Sequence, residues 1–255
     1  MGESEPELFA SEPMARPIFK QNTIFHVGVS GGKDSVAALL WMVRESGIAP
    51  EKIVATFCDI GNDHPCTIEH VQRISETVHP IQTIFPKRNF FELALEKKRF
   101  PSSQARFCTE HLKIDPTRNH LTRLIYEGFN PIAVSGVRAD ESDDRKTLPE
   151  WDYNGWLLCV SWRPLIRWSL EEVLALHRKY GVPLNPLYAM GAERVGCWPC
   201  MMCKKKEIRT IALKSPERID QIRTQEQTFQ TVHGRYSYQD EPEREAVTCN
   251  SGFCE

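Results

Sequence analysis

Val27-Gly28-Val29-Ser30-Gly31-Gly32-Lys33-Asp34-Ser35 is the stretch from which the fold of this chain is read. Before it, Ile24 to Val29 is short, rich in β-branched residues and ends in glycine. Behind it, Val36-Ala37-Ala38-Leu39-Leu40-Trp41-Met42-Val43 suits a buried helix. The order is therefore strand, glycine turn, helix. Such a turn binds phosphate: adjacent glycines let the backbone come close to an anion, the first-turn N–H groups point at it, and Ser30, Lys33 and Ser35 add hydroxyls and a positive charge. It is not a Walker loop, which needs glycine where this chain has Val27 and Ser or Thr where it has Asp34.

With 255 residues and 41% apolar content the chain can bury a full α/β core, and disorder throughout is excluded. A net charge of −2 exerts no global pull on nucleic acid or acidic lipid, although Lys204-Lys205-Lys206 forms a local basic patch. Without a run of roughly 20 apolar residues or a secretory leader, the expected location is the cytoplasm, with no membrane partner. Nine cysteines in such a chain point to metal ligands or reactive thiols rather than a disulfide framework.

Along the chain, residues 1–20 read as an acidic, proline-containing tail that ends by packing near Ile18 and Phe19, and residues 21–190 as the nucleotide-binding domain. Residues 52–58 form a second buried strand ending at Asp59, which is placed to meet a nucleotide through ribose or a metal-bound water; a charge at a helix N-terminus is the plainer alternative. The helix expected over 65–78 carries Cys66 and His70, which with His64 form a loose candidate metal group. Strands are expected over 80–85, 130–135 and 157–162, and helices over 90–98, after Asp115-Pro116, and after Ser169, whose side chain with Glu172 makes a capping box. After the fourth strand comes Gly136-Val137-Arg138, continuing to Arg145. Arg138 and Arg145 can grip phosphate as planar forks or pair with their acidic neighbours in a solvated loop.

Residues 191–255 read as a cysteine-bearing and helical region. Cys197, Cys200 and Cys203 stand three apart, compact enough for one loop to wrap a metal or cluster. Cys108 is the candidate fourth ligand, although a lone cysteine beside Arg106 and Lys113 can equally be a reactive thiolate or a small buried group. Spacing alone does not separate a four-iron cluster from zinc. Two helices are expected between Lys204 and Phe229, broken at Ser215-Pro216-Glu217, and Cys249 and Cys254 fall in a polar tail, as sulfur carriers or plain thiols.

The signature Ser30-Gly31-Gly32-Lys33-Asp34-Ser35 resembles the PP-loop of the ATP pyrophosphatases. The runs from Cys108 (Cys-Thr-x-x-Leu-Lys-Ile-x-Pro), from Arg138 (Arg-Ala-Asp-Glu-Ser-x-x-Arg) and from Asn185-Pro186-Leu187-Tyr188 to Gly196-Cys197-x-Pro-Cys200 resemble that superfamily's PAPS reductase-like branch. The resemblance covers residues 24–230. It implies an adenine nucleotide α-hydrolase fold: a Rossmann-like parallel sheet between helices. It also implies Mg²⁺-ATP bound with its pyrophosphate on residues 30–35 and an exposed α-phosphate, with Lys33, Asp34 and Arg138 as catalytic residues and Asp59, Gly136 and Arg145 beside the nucleotide. Relatives in the branch carry a [4Fe-4S] cluster on such cysteines, which favours iron over zinc at Cys108, Cys197, Cys200 and Cys203. The nearest likeness is to the ATP pyrophosphatase of DNA phosphorothioation and to phage- or CRISPR-associated relatives. The implied partners are thus an adenine nucleotide, a sulfur donor such as a cysteine desulfurase, and nucleic acid or a defence complex. A sulfonyl-reducing enzyme of the branch differs: it lacks the Lys-Asp pair and ends in Glu-Cys-Gly-Leu/Ile-His, where this chain has Thr248-Cys249-Asn250-Ser251-Gly252. Thiol-dependent reduction of an adenylyl sulfate, with Cys249 or Cys254 as nucleophile, is the second reading. A non-catalytic nucleotide-binding component is the third.

Overall fold

β1 (Thr23–Gly28) lies at the middle of the sheet, buried along its length from Thr23 to Val27, as a strand covered on both faces requires. The computed structural model describes residues 14–102 and 104–233. Among these, β1 pairs in parallel with β2 (Ile53–Cys58) on one side and β4 (Asn130–Val134) on the other. β3 (Ile81–Ile84) extends the sheet beyond β2, and β6 (Cys159–Trp162) beyond β4. The spatial order is β3-β2-β1-β4-β6-β5. The chain winds outward from β1 through β2 to β3, then returns to β1's other side, so the switch point, where such folds bind ligands, lies between the carboxyl ends of β1 and β4.

One strand escapes the periodicity. β5 (Trp151–Asn154) is antiparallel to β6, so the sheet is mixed at this edge. Its Trp151 ring stacks on Trp162 at 4.6 Å, and Phe19 packs against Phe25 at 5.0 Å. Residues 14–20, expected in the tail, thus follow the sheet, with the Met14 N–H donating to the Trp151 carbonyl, while Ile18 stays exposed. Residues 1–13, Cys249 and Cys254 lie outside the described residues.

Helices α1 (Lys33–Arg44), α2 (Pro65–Thr77), α3 (Phe90–Lys97), α4 (Asp115–Tyr126) and α5 (Leu170–Lys179) cover the sheet, and α6 (Lys205–Lys214) and α7 (Pro216–His233) follow the cysteine loop. Ser169 caps α5 with Glu172 in the expected box. α1 buries Val36, Leu39, Leu40 and Met42 against the sheet in the main core. A second apolar cluster joins Ile208 and Ile211 of α6 and Ile219 and Ile222 of α7 to Ile60, Phe90, Leu93 and Leu112. The C-terminal helices therefore share a core with the elements at the carboxyl ends of β2 and β3.

Two histidines are stored neutral in this fold. His26 on β1 bonds the Thr56 hydroxyl at 2.8 Å; burial, assisted by His120, lowers its pKa from 6.5 to about 3. Burial, then His177 and Arg73, lowers that of His70 on α2 to about 4. Above pH 6.5 both are neutral in either state; below it the unfolded chain takes protons that the folded chain refuses. Stability is therefore expected to be full above pH 6.5 and to fall toward pH 4, by roughly 1.4 kcal/mol per unit for each histidine. Urea titrations across this range measure the slope, and a flat profile contradicts the assignment.

Candidate nucleotide cleft and thiol site

The glycine turn forms because Gly31 sits at φ +75°, a conformation only glycine adopts freely, and a Cβ there would stand 2.8 Å from Thr67 Cγ2. Five contacts then lock it. The Ser35 hydroxyl accepts from the Ser30 N–H at 3.1 Å and lies 3.0 Å from the Gly32 carbonyl. Asn185 Nδ2 donates to the Gly31 carbonyl at 3.2 Å, and His177 Nε2 lies 2.9 Å from the Lys33 carbonyl. The Tyr188 hydroxyl accepts from the Lys33 N–H at 3.1 Å.

A helix start leaves its first N–H groups without intrahelical partners. Here Tyr188 and Ser35 occupy those of Lys33 and Ser30, so Asp34 and Ser35, which line the cleft, hold the first-turn amides left for an anion. The Lys33 ammonium is already placed, 3.1 Å from Asp34 Oδ2 and 5.2 Å from the centre of the Tyr188 ring. Tyr188→Phe removes the acceptor for the Lys33 N–H while keeping the ring. Nucleotide affinity is expected to drop several-fold with the fold unchanged, as for one lost hydrogen bond; calorimetry with an ATP analogue checks this.

The cleft is a cavity of about 250 Å³ at the switch point, lined on one side by the glycine turn and on the other by Ser135, Gly136, Glu141 and Arg145, with Tyr188 and Arg194 closing it. Gly136 approaches so closely that a Cβ on it would lie 2.2 Å from the Asp34 carbonyl oxygen. Arg145 reaches the cleft paired with Glu141.

The structure places Arg138 differently from a phosphate fork. It is 4% exposed, and its Nε donates to Asp34 Oδ1 at 2.6 Å while Nη1 reaches the Trp168 carbonyl at 3.4 Å. Asp34 thus holds Lys33 with one oxygen and Arg138 with the other, and the Arg138 side chain serves the loop from behind. Asp59 is likewise turned away, accepting from the Gly61 N–H at 2.9 Å near Asp63 and Cys58. Tyr188, His177 and Asn185 are the clamps that residue-level reading missed. Only the Asn-Pro-Leu-Tyr run carried a signal, and it came from resemblance rather than spacing.

Beside this cleft, beyond the end of β2, Cys108, Cys197 and Cys200 lie within electrostatic reach of one another, and Cys203 packs in the same second apolar cluster. The Asp59–His64 loop pairs with the cysteine loop through a bridge between Asp63 and Cys197 and a 2.7 Å bond from the Trp198 N–H to the Asn62 carbonyl. Arg218 of α7 pins both loops, donating to the Trp198 carbonyl at 2.7 Å and to Asn62 Oδ1. Residues 110–114 make a π-helical turn running into α4, which brings Cys108 and Lys113 to this place. Lys113 is exposed, yet its ammonium is set against Cys197, Asp63, Cys200 and Cys108, whose charge raises its pKa. Burial conversely pushes the Cys197 thiol up to about 11 and the Asp63 carboxyl to about 6.

The chemistry of the residues suits a soft metal or cluster: Cys108, Cys197 and Cys200 face the Lys113 ammonium, which offsets thiolate charge, and Cys203 lies in the same apolar cluster. Among the described residues no three His, Cys, Asp or Glu side chains converge on a point where one ion would sit. His64, Cys66 and His70 do not form a metal group; His64 Nδ1 instead accepts from the Cys66 N–H at 3.0 Å, capping α2. No described helix is long and apolar enough to cross a membrane.

Comparison with known proteins agrees with this architecture. A protein of Escherichia phage 186, described as an uncharacterized 37.8 kDa protein, is 30% identical over 253 residues, covering 80% of this chain and 75% of its own. The adenosine 5'-phosphosulfate reductase of Allochromatium vinosum is 36% identical over 102 residues, which span 39% of this chain and 36% of that enzyme. The crystal structure of a phosphoadenylyl-sulfate reductase from Candida auris, a phosphate complex, superposes with a TM-score of 0.53 at 20% identity, covering 71% of this chain and 83% of that one, and shares the fold. The profile of the phosphoadenosine phosphosulfate reductase domain matches residues 25–203, and the chain belongs to that family.

Proposed function

We propose that the chain is an ATP pyrophosphatase that adenylylates an acceptor oxygen for later sulfur transfer. The observation that carries this reading is the glycine turn itself, with Lys33 held ready by Asp34 and Tyr188 over a cleft whose far wall is Gly136 and Arg145. Mg²⁺-ATP enters as substrate, its metal held chiefly by phosphate oxygens and water. The β,γ-phosphates lie on the amides of Asp34 and Ser35 and the Lys33 ammonium, leaving the α-phosphorus toward Gly136 and Arg145. An acceptor oxygen bonds to that phosphorus as the bond to the bridging oxygen breaks. Pyrophosphate departs with the electron pair, its charge stabilised by Lys33 and the loop amides. Asp34 orients Lys33 rather than acting alone on the metal.

Cys108, Cys197, Cys200 and Cys203 would hold a [4Fe-4S] cluster, which when bound supplies a soft, sulfur-binding centre near the cleft. Lys113 offsets negative charge there. Zinc is the alternative occupant; a brown protein whose absorbance bleaches on reduction identifies iron.

The test is anaerobic incubation with α-labelled ATP, Mg²⁺ and candidate acceptors. AMP and pyrophosphate are expected; ADP, or binding without turnover, contradicts the reading. The similarity to adenosine 5'-phosphosulfate reductases favours a second reading, reduction of an adenylyl sulfate by a tail thiol. Sulfite release that is lost in Cys249→Ser or Cys254→Ser would establish it.

A further inference from the structure

A third recess opens on the same edge of the sheet, and neither the nucleotide nor the thiol chemistry uses it. It has a volume of about 350 Å³ and lies at the carboxyl end of β3, between Phe85, the Lys87-Arg88 turn and the start of α4. Phe85 is 68% exposed at its mouth. Lys87 and Arg88 are exposed beside it, Arg88 paired with Glu96 at 2.5 Å, and Asn119 offers an amide on the opposite wall. Asp115, the acidic group in the lining, is already covered by His111 at 3.1 Å and Arg118 at 3.0 Å. Residues 87–99 hold five basic side chains against two acidic ones, in a chain whose net charge is −2.

A presented aromatic face, flanking cations and a polar group at the back of a cavity together suit one kind of ligand: an unpaired nucleotide, its base on the ring and its phosphates on the cations. Position adds to this. The parallel order β3-β2-β1-β4 puts Phe85, the thiol recess and the glycine turn in line along the carboxyl edge. Strands stand about 4.8 Å apart, so Phe85 and the turn are roughly 10 Å from each other. His111 and Leu112, which wall this cavity, belong to the same π turn that carries Lys113 to the thiols.

We infer that this cavity anchors a nucleotide of a single-stranded nucleic acid, the strand running on along the carboxyl edge toward the cleft. That the strand is the acceptor rests on the adenylylation reading; the binding itself does not. Fluorescence anisotropy of the full chain, purified anaerobically, with labelled single-stranded DNA and RNA oligonucleotides and no ATP tests it directly. Phe85→Ala is expected to weaken binding about tenfold. Lys87→Ala is expected to reduce the slope of log affinity against log salt by about 0.7. Both side chains are exposed, so these variants fold, which circular dichroism verifies. A DNA or RNA preference names the source of the strand. Failure of both single strands to bind, binding unaffected by either substitution, or equal affinity for a mononucleotide overturns the inference. If the oligonucleotides behave as expected while ATP yields no AMP, the adenylylation reading fails and this site stands; AMP formation without oligonucleotide binding has the opposite meaning.

Discussion

Gly136→Ala is expected to abolish ATP turnover, by on the order of 100-fold or more, although it adds only one methyl group. The added carbon would stand 2.2 Å from the Asp34 carbonyl oxygen, 2.6 Å from its carbon and 2.9 Å from the Ser35 nitrogen. These are backbone atoms of the first turn of α1 and cannot swing aside as a side chain does. Relief requires the β4 end and the α1 start to separate by about 1 Å, and displacement of that size in a positioned site costs on the order of 100-fold. Since α1 is packed in the main core, part of the strain also lowers stability. Steady-state AMP formation beside thermal melting separates the two effects; wild-type turnover contradicts the packing described here.

Asp34→Ala carries the second large effect, on stability as well as activity. Arg138 is nearly fully covered, and Asp34 Oδ1 neutralises it at 2.6 Å. Removing the carboxylate leaves the buried guanidinium, among the described carboxylates, only a 3.8 Å contact with the exposed Asp140, at a cost of up to about 3 kcal/mol. It also frees the Lys33 ammonium from its 3.1 Å partner, so that the charge meant for the pyrophosphate is no longer held in place. Denaturant titration is expected to show the stability loss, and Asp34→Ala with Arg138→Met together is expected to recover much of it without recovering turnover. If the double variant is as unstable as the single, the pair is not what holds this corner of the fold.

The parallel core was legible because fully buried strands read as continuous apolar runs: Thr23 to Gly28, Ile53 to Cys58 and Asn130 to Val134 each appear as such between turn residues. β5 was not, because Trp-Asp-Tyr-Asn is half polar and only pairing with β6 makes a strand of it. The phosphate turn could be read locally, since glycine spacing and the strand before it are local facts. Its clamps could not. Asn185, Tyr188 and His177 lie some 150 residues away and meet the turn only through the topology. Arg138 shows the same limit in reverse: from its neighbours it is a phosphate ligand or a surface ion pair, and only the fold delivers it to Asp34, 104 residues upstream. Cys108 is legible from the residues as the candidate fourth ligand and only the preference for iron comes from resemblance, while the place of Lys113 among the thiols emerges only from the π turn.

The central claim is that the glycine turn holds the two outer phosphates and turns the innermost phosphorus toward Gly136 and Arg145. A crystal structure with Mg²⁺ and a non-hydrolysable ATP analogue tests this most directly. The account predicts the β- and γ-phosphates against the Asp34 and Ser35 amides and Lys33, with the α-phosphorus facing Gly136 and Arg145. An empty cleft, or a γ-phosphate exposed and the α-phosphorus shielded by the turn, would contradict it.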